Sequence, residues 1–85
     1  MEAGDVVVIP DGRRFGVLKI LRVEPDPGGG RTFHCLSYEH QPGEPAMADV
    51  AALPVAVWWS PINGASIERD GHTIGNAPVT REELK

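Results

Sequence analysis

The chain has 85 residues, 41% hydrophobic and 24% charged, with a formal net charge of −4 and one cysteine. That length bounds a single domain, residues 1–85, with a thin core, because a chain this size buries only about 60–65% of its unfolded surface. Lone Cys35 excludes an internal disulfide, and the acid excess confines any phosphate-binding face to a local cluster of cations.

Gly4 to Val23 reads as two strands joined by a tight turn. Val6 to Ile9 is an unbroken β-branched run, suited to a pleated, buried surface. Pro10-Asp11-Gly12 supplies the turn: Pro fixes φ, Asp bonds its own backbone, and Gly tolerates φ > 0. In the returning stretch, Phe15 to Val23, the apolar phase changes midway. Leu18 and Ile20 point one way, Leu21 and Val23 the other, which predicts a bulge or sharp bend in a strand shared by both halves of a small barrel.

Glu24 to Gly30 is a loop without hydrophobic content. Arg31 to Tyr38 is the third strand, with Phe33, Cys35 and Ser37 alternating against Thr32, His34, Leu36 and Tyr38. A second loop follows, marked by Gln41-Pro42-Gly43-Glu44-Pro45. Met47 to Leu53 has room for one helical turn before Pro54 stops it. Val55 to Trp59 is the fourth strand. Its alternation places Val55, Val57 and Trp59 inside and Trp58 outside, either exposed or under the C-terminal tail. Asn63-Gly64 and Asp70-Gly71 read as turns, with short strands near Ser66–Glu68 and His72–Ile74. Thr80-Arg81-Glu82-Glu83 has capping-box spacing, enough for a one-turn C-terminal helix. Eight prolines and ten glycines punctuate the chain at intervals that favour a β meander.

Charge is uneven along the chain. Residues 1–31 balance, whereas residues 32–85 carry Arg69, Arg81 and Lys85 against seven acids. No Lys or Arg occurs between Thr32 and Glu68. Only Arg13, Arg14, Lys19 and Arg22 offer nucleic acid a cluster, and Asp5 and Asp11 lie beside them, so nucleic acid is not an expected partner. There is no secretory leader pattern and no apolar run of membrane-spanning length, so no membrane is expected and the expected compartment is the cytoplasm.

Candidate chemistry is sparse. His34, Cys35 and His40 fall short of the four convergent ligands that zinc requires, and strand neighbours His34 and Cys35 face opposite ways. Ser37, Glu39 and His40 are triad residue types without a nucleophile elbow. Gly28-Gly29-Gly30 lacks the Lys-Ser/Thr of a phosphate loop. No catalysis, metal or cofactor is expected.

Two resemblances add function. Gly4-Asp5 with its valine run, the Gly turn, and Gly16-Val17-Leu18-Lys19-Ile20-Leu21-Arg22-Val23 resemble the KOW motif, which implies a Src-homology-3-like barrel that often contacts RNA. Gly4 to Leu18 together with Asp70 to Leu84 is similar to the two ends of the immunity protein 26 family, bacterial and mostly β. That resemblance implies a protein that binds and neutralises a cognate toxin.

The expected fold is therefore all-β: a small open barrel, Src-homology-3-like, of about five antiparallel strands. Its expected core is Val6, Val8, Leu18, Ile20, Phe33, Cys35, Val55, Val57 and Trp59. The leading expectation for function is toxin immunity, ahead of a KOW-like RNA or translation contact and a generic protein–protein adaptor. The expected partner is a basic toxin domain. It would dock on the cation-free middle around Tyr38, Glu39, Glu44, Asp49 and Trp58, where acids steer and aromatics anchor.

Overall fold

The computed structural model describes residues 1–84. Five strands run β1 Asp5–Asp11, β2 Arg14–Pro25, β3 Arg31–Tyr38, β4 Val55–Asn63 and β5 His72–Asn76. Helix α1, Met47–Val50, precedes β4, and α2, Gly64–Asp70, links β4 to β5. All neighbours pair antiparallel in one open sheet ordered β4-β3-β2-β1-β5. This is the expected all-β small open barrel. The β1–β2 hairpin closes at Asp11↔Arg14 around a two-residue loop. Only its first residue, Gly12, has positive φ (63°), the pattern of a type II′ turn that matches the strands' twist.

The sheet is buried on both faces. On the inner face Val7, Leu18, Ile20, Phe33 and Cys35 pack under Ile67 of α2. On the other, Val6, Val17, Leu21, Leu36 and Tyr38 pack under Val50 of α1, with Met47, Ile74 and Val79 at the margin. Consecutive Val6 and Val7 thus serve opposite layers, which is why the β1 run is apolar throughout. The bulge anticipated in β2 is present: pairing with β3 steps from Ile20↔Cys35 to Arg22↔His34, leaving Leu21 as the extra residue. Leu21 turns to the α1 layer, as expected. Val23 does not follow it; having passed the bulge, it rejoins the Leu18–Ile20 face.

Three readings of the second half are corrected. Asn63-Gly64 is a helix start and not a hairpin turn, and Ser66–Glu68 lies in α2 and not in a strand. Asn63 Oδ1 accepts from the Ala65 N–H (2.9 Å) and the Ser66 N–H (3.4 Å), since an asparagine that favours turns also caps helices. Gly64 is required by proximity: a Cβ there would sit 2.8 Å from the Arg31 carbonyl oxygen. Val57 and Trp59 are not core residues, and Val55 is only half-buried. Val7, Val17, Leu21, Leu36, Val50 and Ile67 take their place.

The C-terminal segment makes its capping box. The Thr80 N–H donates to Glu83 Oε1 (2.8 Å), and the Glu83 N–H donates to Thr80 Oγ1 (3.3 Å). The result is a single turn, closed by the Leu84 N–H on the Arg81 carbonyl (3.2 Å). Lys19, only 5% exposed, ties this turn to the sheet. Its Nζ donates to both Glu83 oxygens (2.8 and 3.0 Å) and to the Pro78 carbonyl (3.1 Å).

Candidate protein-binding surface

β4 is an edge strand with a broken ladder. Its pairing steps from Cys35↔Ser60 to Ser37↔Val57, so Leu36 faces both Trp58 and Trp59. A second irregularity, between Val57 and Val55, leaves Ala56 extra. Two bulges in one strand undo the alternation that placed Val57 and Trp59 inside. Trp59 has φ = 70° and is the only non-glycine residue with positive φ among the described residues. A bulky residue there carries about 1–3 kcal/mol of strain, which persists only where surrounding structure imposes it.

The consequence is an apolar edge in water: Trp58 is 56% exposed, Val57 49% and Trp59 39%. The Trp59 ring lies 5.5 Å from the His34 ring, tilted by 35°. His34 Nε2 meets Glu24 at 3.1 Å, and its buried Nδ1 has no hydrogen-bond partner. Strain, exposed indoles and an unsatisfied ring nitrogen therefore share one place. Pro61 lacks an N–H, and the bulges interrupt the outer row of backbone groups. The edge is thus better suited to side-chain docking than to addition of another strand.

The structure disperses the residues expected to form one docking patch. Trp58 is exposed on the β4 edge, and the C-terminal tail packs instead on the α1 layer through Val79. Tyr38 is 7% exposed and belongs to that layer. Burial, with the Glu83 carboxylate nearby, raises its phenol above the usual pKa. Glu39 is exposed, and its N–H is bonded to the Pro54 carbonyl (2.9 Å). Asp49 is exposed on α1. Glu44 pairs with His72 of β5, at the opposite end of the strand order from Trp58. Sequence reasoning missed Val57 and Trp59. Their signal was the Trp-Trp doublet itself, followed two positions later by a proline that marks an edge strand.

The cations of the first hairpin do not form a face either. Lys19 is buried against Glu83, Arg22 lies 3.8 Å from Glu24, and Arg14 donates to the His40 carbonyl (2.8 Å). Burial pushes the Cys35 thiol up to about 12, so it is neutral at physiological pH and no nucleophile. No group of His, Cys, Asp and Glu that could hold a metal occurs among the described residues.

A cleft of about 680 Å³ opens where α2 ends. Ile9, Gly16, Leu18 and Ser37 line it from the sheet, and Arg69 and Asp70 from the helix. His40 and Asp11 also line it, paired at 3.4 Å. No helix among the described residues is long and apolar enough to cross a membrane. Searches of family models, curated proteins and solved structures find no match to this chain.

Proposed function

We propose that this protein acts by binding another protein, as an immunity-type inhibitor that caps a basic toxin domain, and that the β4 edge is its docking face. One observation carries the reading: on an exposed, twice-bulged edge strand, Trp59 is held at φ = 70° beside an exposed Trp58. Strained backbone that presents large rings to water is a cost to the free protein, and such features concentrate where a ligand is met. Trp is also the residue type most enriched among interface anchors.

The basic character of the partner follows from charge. Of the four acids from Thr32 to Glu68, Glu44 pairs with His72 and Glu68 with Arg31, so the exposed Glu39 and Asp49 are the ones that would attract a cationic surface and speed encounter. The class of partner, a toxin, is what the resemblance of residues 4–18 and 70–84 to the immunity protein 26 family implies, a resemblance read from the sequence alone.

The test is coexpression with any toxin that proves to be encoded beside this gene, followed by titration of the purified pair. Wild type is expected to protect the cell. Trp58→Ala or Trp59→Ala is expected to lose about 2 kcal/mol or more of binding, the scale of an interface hot spot, at unchanged fold. Full binding by both variants would move the docking face elsewhere. Failure of the wild type to protect would end the immunity reading.

A further inference from the structure

We infer that His34 is a proton-operated catch on the β4 edge: its imidazolium holds the Trp59 ring against the sheet, and its neutral ring lets that indole go. The catch rests on the cluster of Glu24, His34 and Trp59. Its effect on a partner rests on the preceding reading that the β4 edge docks.

The sheet brings the three side chains together. Arg22 stands opposite His34, and Glu24, two positions on, lies along the same face of β2. On the other side Pro61 stands opposite His34, so Trp59, two positions earlier, is its diagonal neighbour on that face. The imidazole therefore lies between a carboxylate, 3.1 Å from Nε2, and an indole whose ring centroid is 5.5 Å away.

The two protonation states of this ring are not equivalent. A carboxylate only accepts, so it is an Nε2–H that donates to Glu24. In the neutral ring Nδ1 is then a bare lone pair, buried and without a hydrogen-bond partner among the described residues. Protonation makes Nδ1 a donor and places positive charge between Glu24 and the indole. The measured separation is inside the reach of a cation–π contact, about 6 Å. Few other groups bear on that charge. Arg22 opposes it, but Arg22 is exposed and lies 3.8 Å from the Glu24 oxygen that Nε2 meets at 3.1 Å. Thr32, Leu36 and Pro61 carry no charge. Glu24 is the only acid paired with His34 among the described residues, so α1 and the C-terminal turn contribute none.

Trp59 supplies the other half of the device. Its left-handed backbone is strained, so the seated ring needs a hold and its release relieves a cost. Two arrangements of one side chain, biased by one proton, make a switch. Protonation favours the seat, so acid closes the edge. A rise through the range in which histidines lose their charge, about pH 5 to 8, opens it. A partner that takes the Trp59 ring should then bind more tightly toward the upper end.

The experiment uses the full chain carrying Trp58→Phe, so that indole emission comes from Trp59 alone. Quenching by acrylamide is measured from about pH 5 to pH 8, with amide spectra confirming the fold. The equilibrium between covered and quenchable indole is expected to shift toward quenchable about two- to fivefold as pH rises, the range of a partly exposed cation–π contact. His34→Gln keeps a donor for Glu24 but takes up no proton, and should abolish the pH dependence. Glu24→Gln removes the charge that favours the imidazolium, and should move the transition to lower pH without abolishing it. If His34→Gln does not fold, the Glu24→Gln shift decides, since Glu24 is exposed. The catch is overturned by quenching that does not change with pH, or by a transition that Glu24→Gln leaves in place. A transition retained in His34→Gln would belong to His40 or His72 and overturn it equally. Such failure leaves the tryptophan edge as the docking face. Conversely, a working catch in a chain whose Trp58→Ala and Trp59→Ala variants bind the partner fully would retain the catch and remove the docking edge.

Discussion

β2 and β4 both carry bulges, with opposite results. β2 is central, hydrogen-bonded on both sides, and its extra residue Leu21 is driven into the layer under α1. β4 has a partner on one side only, and its irregularities bring Val57, Trp58 and Trp59 out into water. A bulge redirects side chains; whether the redirected group meets protein or solvent depends on what lies beyond the strand. In β2 the bulge supports folding. In β4 it spends stability on a surface.

The largest expected effect breaks the β2 side of this contrast. Leu21→Ala should cost about 2–5 kcal/mol, the range for emptying a buried leucine site, read as a lower urea midpoint at unchanged slope. A loss comparable to that of an exposed residue would mean that the bulge does not seat Leu21 in the core.

Next comes the tail that covers the same layer. Desolvation raises the Glu83 carboxyl, but hydrogen bonds from Lys19 and Thr80 and the Lys19 charge outweigh it, leaving it below the ordinary 4.5. A carboxyl depressed in the folded state stabilises above its unfolded pKa, and that contribution is lost as pH falls through the folded value. The melting temperature should therefore decline from about pH 4.5 downward. Glu83→Gln should cost about 1.5–3 kcal/mol at pH 7, the range for hydrogen bonds to a charged group. The gap between variant and wild type should close on acidification. A constant gap from pH 7 to pH 2 would show that the carboxylate charge contributes nothing.

Trp59→Gly is expected to act in the opposite direction. Relief of the left-handed backbone offsets the lost ring contact and the added freedom of glycine, so stability should stay level or rise by about 1 kcal/mol. Partner binding should fall. A marked loss of stability would make Trp59 a structural residue.

Smallest is Trp58→Ala, which should change stability by no more than about 0.5 kcal/mol, as exposed positions do. A larger drop in melting temperature would show that Trp58 packs against the chain in solution.

Legibility in the sequence follows the same division. The β1–β2 hairpin, the β2 bulge and the capping box of Thr80 and Glu83 were readable because each depends on residues close in sequence. The burial of Tyr38 and the exposure of Val57 and Trp59 were not. Tyr38 has the ring chemistry of an amphipathic anchor, but α1 and the C-terminal segment cover its layer; Glu44 is close in sequence to Glu39 and Asp49, but its loop carries it to His72. Asn63 has turn and cap chemistry in equal measure, and only the need to cover Phe33 and Cys35 with Ile67 favours the helix.

Local sequence therefore determined the strand composition, the first turn, the phase change at Leu21 and the acid excess of the middle. These are properties of neighbouring residues and need no partner from elsewhere in the chain. Tertiary structure alone decided that β4 lies at an edge, that Lys19 is buried against Glu83, and that Trp58 and Trp59 both meet water. The alternation rule assumes an unbroken ladder, and whether a ladder breaks is set by the register it must keep with the strand beside it.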